Sequence, residues 1–542
     1  MADESAGVRE IVRTWLMPDY LSPQIQRILL GVLLLGFLGL RVATMHAPAI
    51  DRTSWKEIDY ITISTNYWEH GYRFHEPQIE WPAEPPRVTA MELPLVPYVA
   101  ALGYPIFGVN EYSVRWLTVA ALAMTLFYLF FLVRREVGPL PGLLAVPVAG
   151  IMLQWHPDAK FLFSDPWVIA LSLGTLYHLG EYAELGGDRQ AWLGGAFFSI
   201  MVAIKLTPLY MLLPVAWIGY RSWGLRFTEW LKGAGIIAAA MIVPTAWYAY
   251  AYYLGETSID VFGIFGGHNK LQTAAMLSSS EWWATMTDRI RGTLLDGNLG
   301  FLLLLLGLGT AVALKRAGLF LAYGIAVAAF FAIVAEGQID APYRQLMAVP
   351  VLATFVALGV LGFGAVAATL TERVKVTRGL FRKPGLVLFG GLAVTLFMGF
   401  RSSGRLLEVE PTQPDNMAKW ELAEALKATG EDYGPIIALG EYTIHKGGND
   451  LSPGLYYYAN TRGWTLQRGD WCMKKVLNLR DRGATHLTAY RMDRQPGAIE
   501  FVENVRRCFP LEFENPQKHT FLVDLSTVIC DDLVLREDGG GS

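Results

Sequence analysis

The chain has 542 residues, of which 53% are hydrophobic and 17% charged, with a formal net charge of −4 and a mean hydropathy of +0.31. Soluble domains carry about 25% charged residues, so the deficit points to a chain whose solvent is largely lipid. With 45 basic and 49 acidic side chains, there is no electrostatic footprint for nucleic acid.

The first 25 residues are mixed, and the apolar run Ile28 to Leu40 that follows reads as a retained span rather than a cleaved leader. Segments suited to crossing a bilayer, each of roughly 20 apolar residues, fall near 26–44, 113–133, 140–155, 166–181, 191–204, 206–220, 233–252, 298–314, 317–335, 345–366 and 384–400. That is about eleven spans. Residues 94–109 carry Pro94, Pro97 and Pro105 and read as a re-entrant or interfacial piece, since the backbone groups freed by Pro need protein or water at that depth. Lys and Arg set orientation. Arg134-Arg135, Arg221/Arg226/Lys232, Lys315-Arg316 and Arg373/Lys375/Arg378/Arg382/Lys383 fall in alternate loops, which places those loops and the amino terminus in the cytoplasm. An odd number of spans then puts residues 401–542 outside.

Two outer loops, 45–95 and about 253–297, are too long for connectors and are functional candidates. Both contain aromatic-rich pieces suited to helices lying in the interface, Tyr60-Ile-Thr-Ile-Ser-Thr-Asn-Tyr-Trp68 and Ser280-Glu-Trp-Trp283. From about residue 410 the pattern changes. Met417 to Thr429 reads as an amphipathic helix, Pro435-Ile-Ile-Ala-Leu439 as a buried strand and Leu477 to Gly483 as a helix end. Thr485-His-Leu-Thr-Ala489 and Phe521-Leu-Val-Asp-Leu525 read as further strands, so 406–538 is a small α/β domain after a membrane domain over 1–405. Gly539-Gly-Gly-Ser542 resembles an artificial linker. Cys472, Cys508 and Cys530 all lie in this last region, where one disulfide with a spare thiol and three reduced thiols are both open.

The candidate chemistry gathers on the outer side of this topology. The first outer loop opens with Asp51-Arg-Thr-Ser-Trp-Lys-Glu-Ile-Asp59, and Glu92-Leu-Pro94 precedes the next apolar run. Acidic groups held against a bilayer are costly and mark sites. Glu57 and Asp59 sit at the start of an interfacial helix, where the macrodipole favours ionised carboxylates; such a group can accept a proton, hold a cation, or only cap the helix. Glu92 can equally mark a segment boundary. Asp165 stands before Pro166 at the start of a span, the place of a helix N-cap. Asp158 reads as a loop residue. His268, in Gly266-Gly-His-Asn-Lys270, is an exposed loop residue, a phosphate orienter, or with Glu92 half of a divalent-metal site. Lys205 and Arg344 lie near the outer surface, where a cation binds a lipid phosphate or merely snorkels; Lys160, Lys270, Arg289 and Arg291 are weaker versions of the same idea.

Several stretches resemble the GT-C superfamily of polyprenyl-phosphate-sugar-dependent glycosyltransferases, in particular protein O-mannosyltransferase-like (family 39) enzymes and the aminoarabinose transferases of lipid A. They are Trp55-Lys-Glu-Ile-Asp59 with Ile63-Ser64 and Gly71, Met91-Glu-Leu-Pro-Leu-Val-Pro-Tyr98 with Phe107-Gly108 and Arg115, Ser164-Asp-Pro166, and Ala203-Ile-Lys-Leu-Thr-Pro208. Near the end, Tyr456-Tyr-Tyr-Ala459 with Arg462-Gly-Trp464, and Arg482-Gly-Ala-Thr-His-Leu487, resemble the extracytoplasmic domain of bacterial members. The family's adjacent acidic pair is absent as such: aligning on Ile63-Ser64 puts Lys56-Glu57 there, whereas the tryptophan-basic-x-x-Asp pattern favours Asp59.

The resemblance implies a polytopic helical membrane protein in the cytoplasmic membrane of a bacterium or archaeon. It implies inverting transfer of a sugar from a polyprenyl-phosphate donor to a protein, lipid or polysaccharide acceptor on the outer face. Asp59, with Glu57 second, is then the base; Arg344, Lys205 and Lys270 bind the donor phosphate; Glu92, Asp165 and His268 shape the sugar and acceptor pocket. No cofactor is required, and a divalent metal at Glu92 and His268 is an option. A secondary transporter or lipid-linked sugar flippase is the alternative, and it predicts inverted repeats and charges at mid-membrane, neither of which the sequence displays. A non-enzymatic adaptor would need a single anchoring span.

Overall fold

A computed structural model describes residues 10–17, 20–45, 49, 54–85, 87–156, 159–258, 262, 264, 273–295, 297–371, 384–401, 414–430, 433–439, 453–466, 468–489, 498–517 and 519–530. The chain divides into two compact units. One comprises Met1–His46, Arg115–Ala249 and Asn269–Val409; the other comprises Ala47–Val114, Tyr250–His268 and Glu410–Ser542.

The first unit is helical. The apolar segments read from the sequence fall on helical stretches, with 206–220, 233–252, 317–335 and 345–366 each running across two elements; the first, Pro23–Thr44, has the N-cap Ser22, which accepts a hydrogen bond from the Ile25 amide, and proline as its first residue. Pro139–Trp155, Ser164–Leu185, Asp188–Ile204, Leu212–Trp223, Asn298–Leu314, Gly318–Ile333 and Val349–Thr371 follow. Among the described residues, four helices are long and apolar enough to cross a membrane by themselves, and the bent pair Ser280–Leu294 and Asn298–Leu314 would make a fifth. The protein is a multi-pass membrane protein by these helices.

Helices in lipid associate through close packing rather than a hydrophobic drive, so small residues sit where backbones meet. Asn298–Leu314 and Val349–Thr371 cross in this way: a Cβ on Gly307 would overlap the Phe355 carbonyl, and one on Gly359 the Leu303 carbonyl. Arg41, fully buried, ties the first helix to the end of Pro139–Trp155 by donating to Ala159 O at 2.5 Å and Leu153 O at 3.0 Å.

In the second unit a five-stranded mixed sheet has the order β2-β1-β3-β5-β4, with β1 Ile436–Leu439, β2 Gly463–Leu466, β3 His486–Ala489, β4 Leu511–Asn515 and β5 Thr520–Asp524. β1 runs parallel to β2 and β3, while β5 is antiparallel to both β3 and β4. The period of two along β1 sends its side chains to opposite faces. Ile436 and Ala438 pack with Leu422 and Leu426 of Pro414–Ala428 and with Leu455 of Pro453–Ala459. Ile437 and Leu439 pack with Val476 of Met473–Asp481 and Phe501 of Ala498–Cys508. Helices thus cover both faces, which is why this central strand reads as an unbroken apolar run. Cys508 and Cys530 form a disulfide and Cys472 is a half-buried free thiol.

The first outer loop belongs to this second unit and is fastened to the sheet domain. The Gly463 amide donates to Glu80 O at 3.0 Å, and the Trp464 indole donates to Glu84 Oε2 at 2.8 Å. Arg482 pairs with the same Glu84, and the Tyr458 hydroxyl donates to Glu111 Oε2 at 2.9 Å.

Candidate active site

In the second unit the interfacial helix expected from Tyr60 to Trp68 runs over Ser54–Glu69. Its apolar side chains Ile58, Ile61 and Ile63 are buried, and Ile58 lies against Gly454 of the helix Pro453–Ala459. That burial carries the polar residues of the first turns inward too: Lys56, Glu57 and Asp59 are all under 9% exposed. Asp59 sits in the second turn. Burial pushes its carboxyl well above the ordinary carboxylate range, with the Lys56 ammonium pulling the other way. A carboxyl so raised is a stronger base once it has lost its proton.

Further along the same helix, Asn66 donates to Gln78 O at 3.0 Å and Glu80 Oε1 at 2.9 Å, and Arg87 pairs with Glu80 at 2.8 Å. These bonds fold the loop after the helix back on itself. Met91 is buried and Glu92 half-buried, and Glu92 Oε2 has no hydrogen-bond partner among the described residues. His268, Lys270 and Asp158 lie outside the described residues, so the Glu92 and His268 metal pair does too. No group of three or more metal-ligating side chains occurs among the described residues.

In the first unit, Asp165 departs from the capping role. The helix begins at Ser164 with Phe163 as its N-cap, so Asp165 lies inside the first turn, fully buried. Its Oδ1 accepts from Lys205 Nζ at 2.5 Å. Lys205 can reach it because the chain leaves the helix Asp188–Ile204 there in an extended conformation, φ −165 and ψ 126, before the 3-10 turn Thr207–Met211 opening on Pro208. Lys205 Nζ also stands 5.0 Å from the centre of the Tyr343 ring.

Arg344 follows Tyr343 in the 3-10 helix Pro342–Ala348, with its Cζ 5.9 Å from that ring. Its Nε and Nη1 are buried without a hydrogen-bond partner among the described residues. Unpartnered buried nitrogens on a cation are costly, and they make the half-buried Arg344 a candidate for binding an anion. Lys205 differs in that Asp165 already pairs with it. Arg289 donates to Gln338 O at 2.5 Å and Ile339 O at 2.9 Å, so this cation holds the short helix Ala335–Asp340 in place. The Gln345 amide donates to Gln338 O at 3.0 Å and to Gln338 Oε1 at 3.3 Å. Nothing in the sequence marked Gln338, Gln345 or Tyr343, since each acts through neighbours fixed only by the fold.

Residues 86–248 match the family model described as dolichyl-phosphate-mannose-protein mannosyltransferase. Two solved structures are similar over nearly the whole chain. ArnT from Cupriavidus metallidurans bound to undecaprenyl phosphate has 13% identity and a TM-score of 0.59, covering 93% of this chain and 98% of that one. The Archaeoglobus fulgidus oligosaccharyltransferase tethered to an acceptor peptide has 10% identity and a TM-score of 0.52, covering 95% of this chain and 77% of that one. No curated protein matches the chain in sequence.

Proposed function

We infer that this chain, a member of the GT-C superfamily of glycosyltransferases, is an inverting enzyme that moves a sugar from a polyprenyl-phosphate donor to an acceptor hydroxyl or amine. In the step proposed, the acceptor heteroatom attacks the anomeric carbon from the face opposite the phosphate. Its bond to that carbon forms as the carbon–oxygen bond to the lipid phosphate breaks. The acceptor proton passes to Asp59, and the lipid phosphate departs with the bonding pair. A phosphate is already a good leaving group, so neutralising its developing charge contributes more than protonating it.

The single observation that carries the reading is Arg344, whose buried Nε and Nη1 have no acceptor among the described residues. A departing phosphate supplies the missing charge and acceptors. Lys205, locked to Asp165, keeps that region of the helix ends in place, and Asp165 with Glu92 borders the sugar. Glu57 stands second to Asp59 as base. Lys270 and His268 remain assigned to the donor and acceptor, and a divalent ion is not needed by the step as written. The membrane proposed is the cytoplasmic membrane of a bacterium or archaeon, with the amino terminus inside and the sheet domain outside. The Cys508–Cys530 disulfide fits that exterior placement.

The test is release of sugar from a polyprenyl-phosphate donor by the purified protein in detergent, with Arg344→Gln beside it. Transfer that depends on Arg344 supports the reading. Transport of the intact lipid-linked sugar without cleavage would replace it.

A further inference from the structure

We propose that Gly337 is a positioning residue for Arg344: the missing side chain at 337 is the seat in which the guanidinium rests. The inference depends on the reading of Arg344 as the donor-phosphate ligand. A Cβ placed on Gly337 would overlap Arg344 Nη1 and come within 3.0 Å of its Cζ and 2.9 Å of Val334 Cγ1. The space that alanine would fill is the space the cation occupies.

The backbone gives no other reason for glycine there. Gly337 lies within the helix Ala335–Asp340, its φ outside the left-handed region, and its carbonyl accepts from the Ala341 amide at 3.2 Å. In such a position glycine destabilises the helix by about 0.5–1 kcal/mol relative to alanine. The close approach of Arg344 is what offsets that cost. The seat itself is held still: Arg289 grips the carbonyls of Gln338 and Ile339, and Gln345 grips Gln338. The guanidinium also stands 5.9 Å from the centre of the Tyr343 ring. Packing against Gly337 therefore holds the Nη1 end of Arg344, with no acceptor for Nε or Nη1 among the described residues.

The experiment is a double-mutant cycle on the full chain in lipid nanodiscs, with Gly337→Ala, Arg344→Gln and the pair. Each is read by KM for the polyprenyl-phosphate sugar, by kcat, and by competition with polyprenyl phosphate. Arg344→Gln is expected to raise donor KM about 10- to 100-fold, the range for losing a charged hydrogen bond. Gly337→Ala is expected to raise it at least about tenfold with a smaller change in kcat, and to have under a twofold effect once Arg344 is Gln. An unchanged donor KM in Arg344→Gln sinks the reading of Arg344 itself. A strong effect there with a normal Gly337→Ala sinks only the positioning role. Equal effects of Gly337→Ala in both backgrounds also overturn it. Should Gly337→Ala fail to fold, recovery of folding in the double variant supports the clash with Arg344, and failure of the double variant assigns the strain to Val334 and overturns the inference.

Discussion

Asp165→Asn is the sharpest probe of the helix ends in the first unit. Asp165 and Lys205 have side chains 0% and 8% exposed, with 2.5 Å between Oδ1 and Nζ. At an effective dielectric of about 20, unit charges at that separation attract by roughly 6–7 kcal/mol. Taking each ion out of water costs several kcal/mol, so the intact pair stabilises the fold little on balance. Removing one partner is different: the Lys205 ammonium stays buried with no counter-charge, at a cost of about 3–5 kcal/mol. The Tyr343 ring recovers only about 1–2 kcal/mol of that. Asp165→Asn should therefore unfold at a much lower denaturant concentration in detergent. Replacing both residues together, Asp165→Leu with Lys205→Met, should return most of the loss. A single variant within about 1 kcal/mol of the parent, or a double variant worse than the single, would refute the buried-pair account.

Asp59→Asn is expected to lower transfer by 10²–10⁴-fold, the usual share of general-base catalysis, while donor binding is kept. The pH dependence follows from burial, which raises this carboxyl. Activity should climb as pH rises through the raised value, and Asp59→Asn should lack that limb. Stability runs the other way, because a raised folded value favours the protonated form: the contribution is full below the ordinary carboxylate range and is lost as pH rises through the folded value. Glu84→Ala removes an acceptor from Trp464 and a half-exposed partner from Arg482, at a cost of about 1–2 kcal/mol; faster proteolysis within residues 70–90 is the readout. Cys508→Ser with Cys530→Ser opens a loop of 22 residues and should destabilise the sheet domain by roughly 3 kcal/mol, seen as a lower melting temperature.

The helices were legible because a span needs a long apolar run, and the runs from 26–44 to 384–400 lie on helical stretches, although 206–220, 233–252, 317–335 and 345–366 each cross from one element to the next. β1, β3 and β5 were legible as short apolar strands between helices. β2 was not, because Gly463–Leu466 opens on glycine and has no run of apolar residues like that of β1. β4 was hidden for a different reason. It is an edge strand whose Glu512 and Glu514 point outward, so it lacks an apolar signal. The attachment to the sheet domain was invisible, since Glu84 in the first outer loop and Glu111 beyond it meet partners 380 and 347 residues away. Asp165 looked like a cap because its partner Lys205 is 40 residues distant. Local pattern reports which side chains are charged, but the fold decides which charges are already spent on each other.

That distinction separates the two cations that looked alike in the sequence. Lys205 and Arg344 both flank a span and both approach the Tyr343 ring, at 5.0 Å and 5.9 Å. Lys205 has its carboxylate, and Arg344 has buried nitrogens with no acceptor among the described residues. A ligand that binds only the folded state raises stability by about 2.7 kcal/mol at 100 times its Kd. Polyprenyl phosphate should therefore raise the melting temperature of the parent protein in detergent. Arg344→Gln should lose that response while starting at least as stable without lipid, because it removes an uncompensated charge rather than a bond. If Arg344→Gln instead begins less stable and still responds fully to the lipid, the guanidinium is structural and the phosphate is held elsewhere.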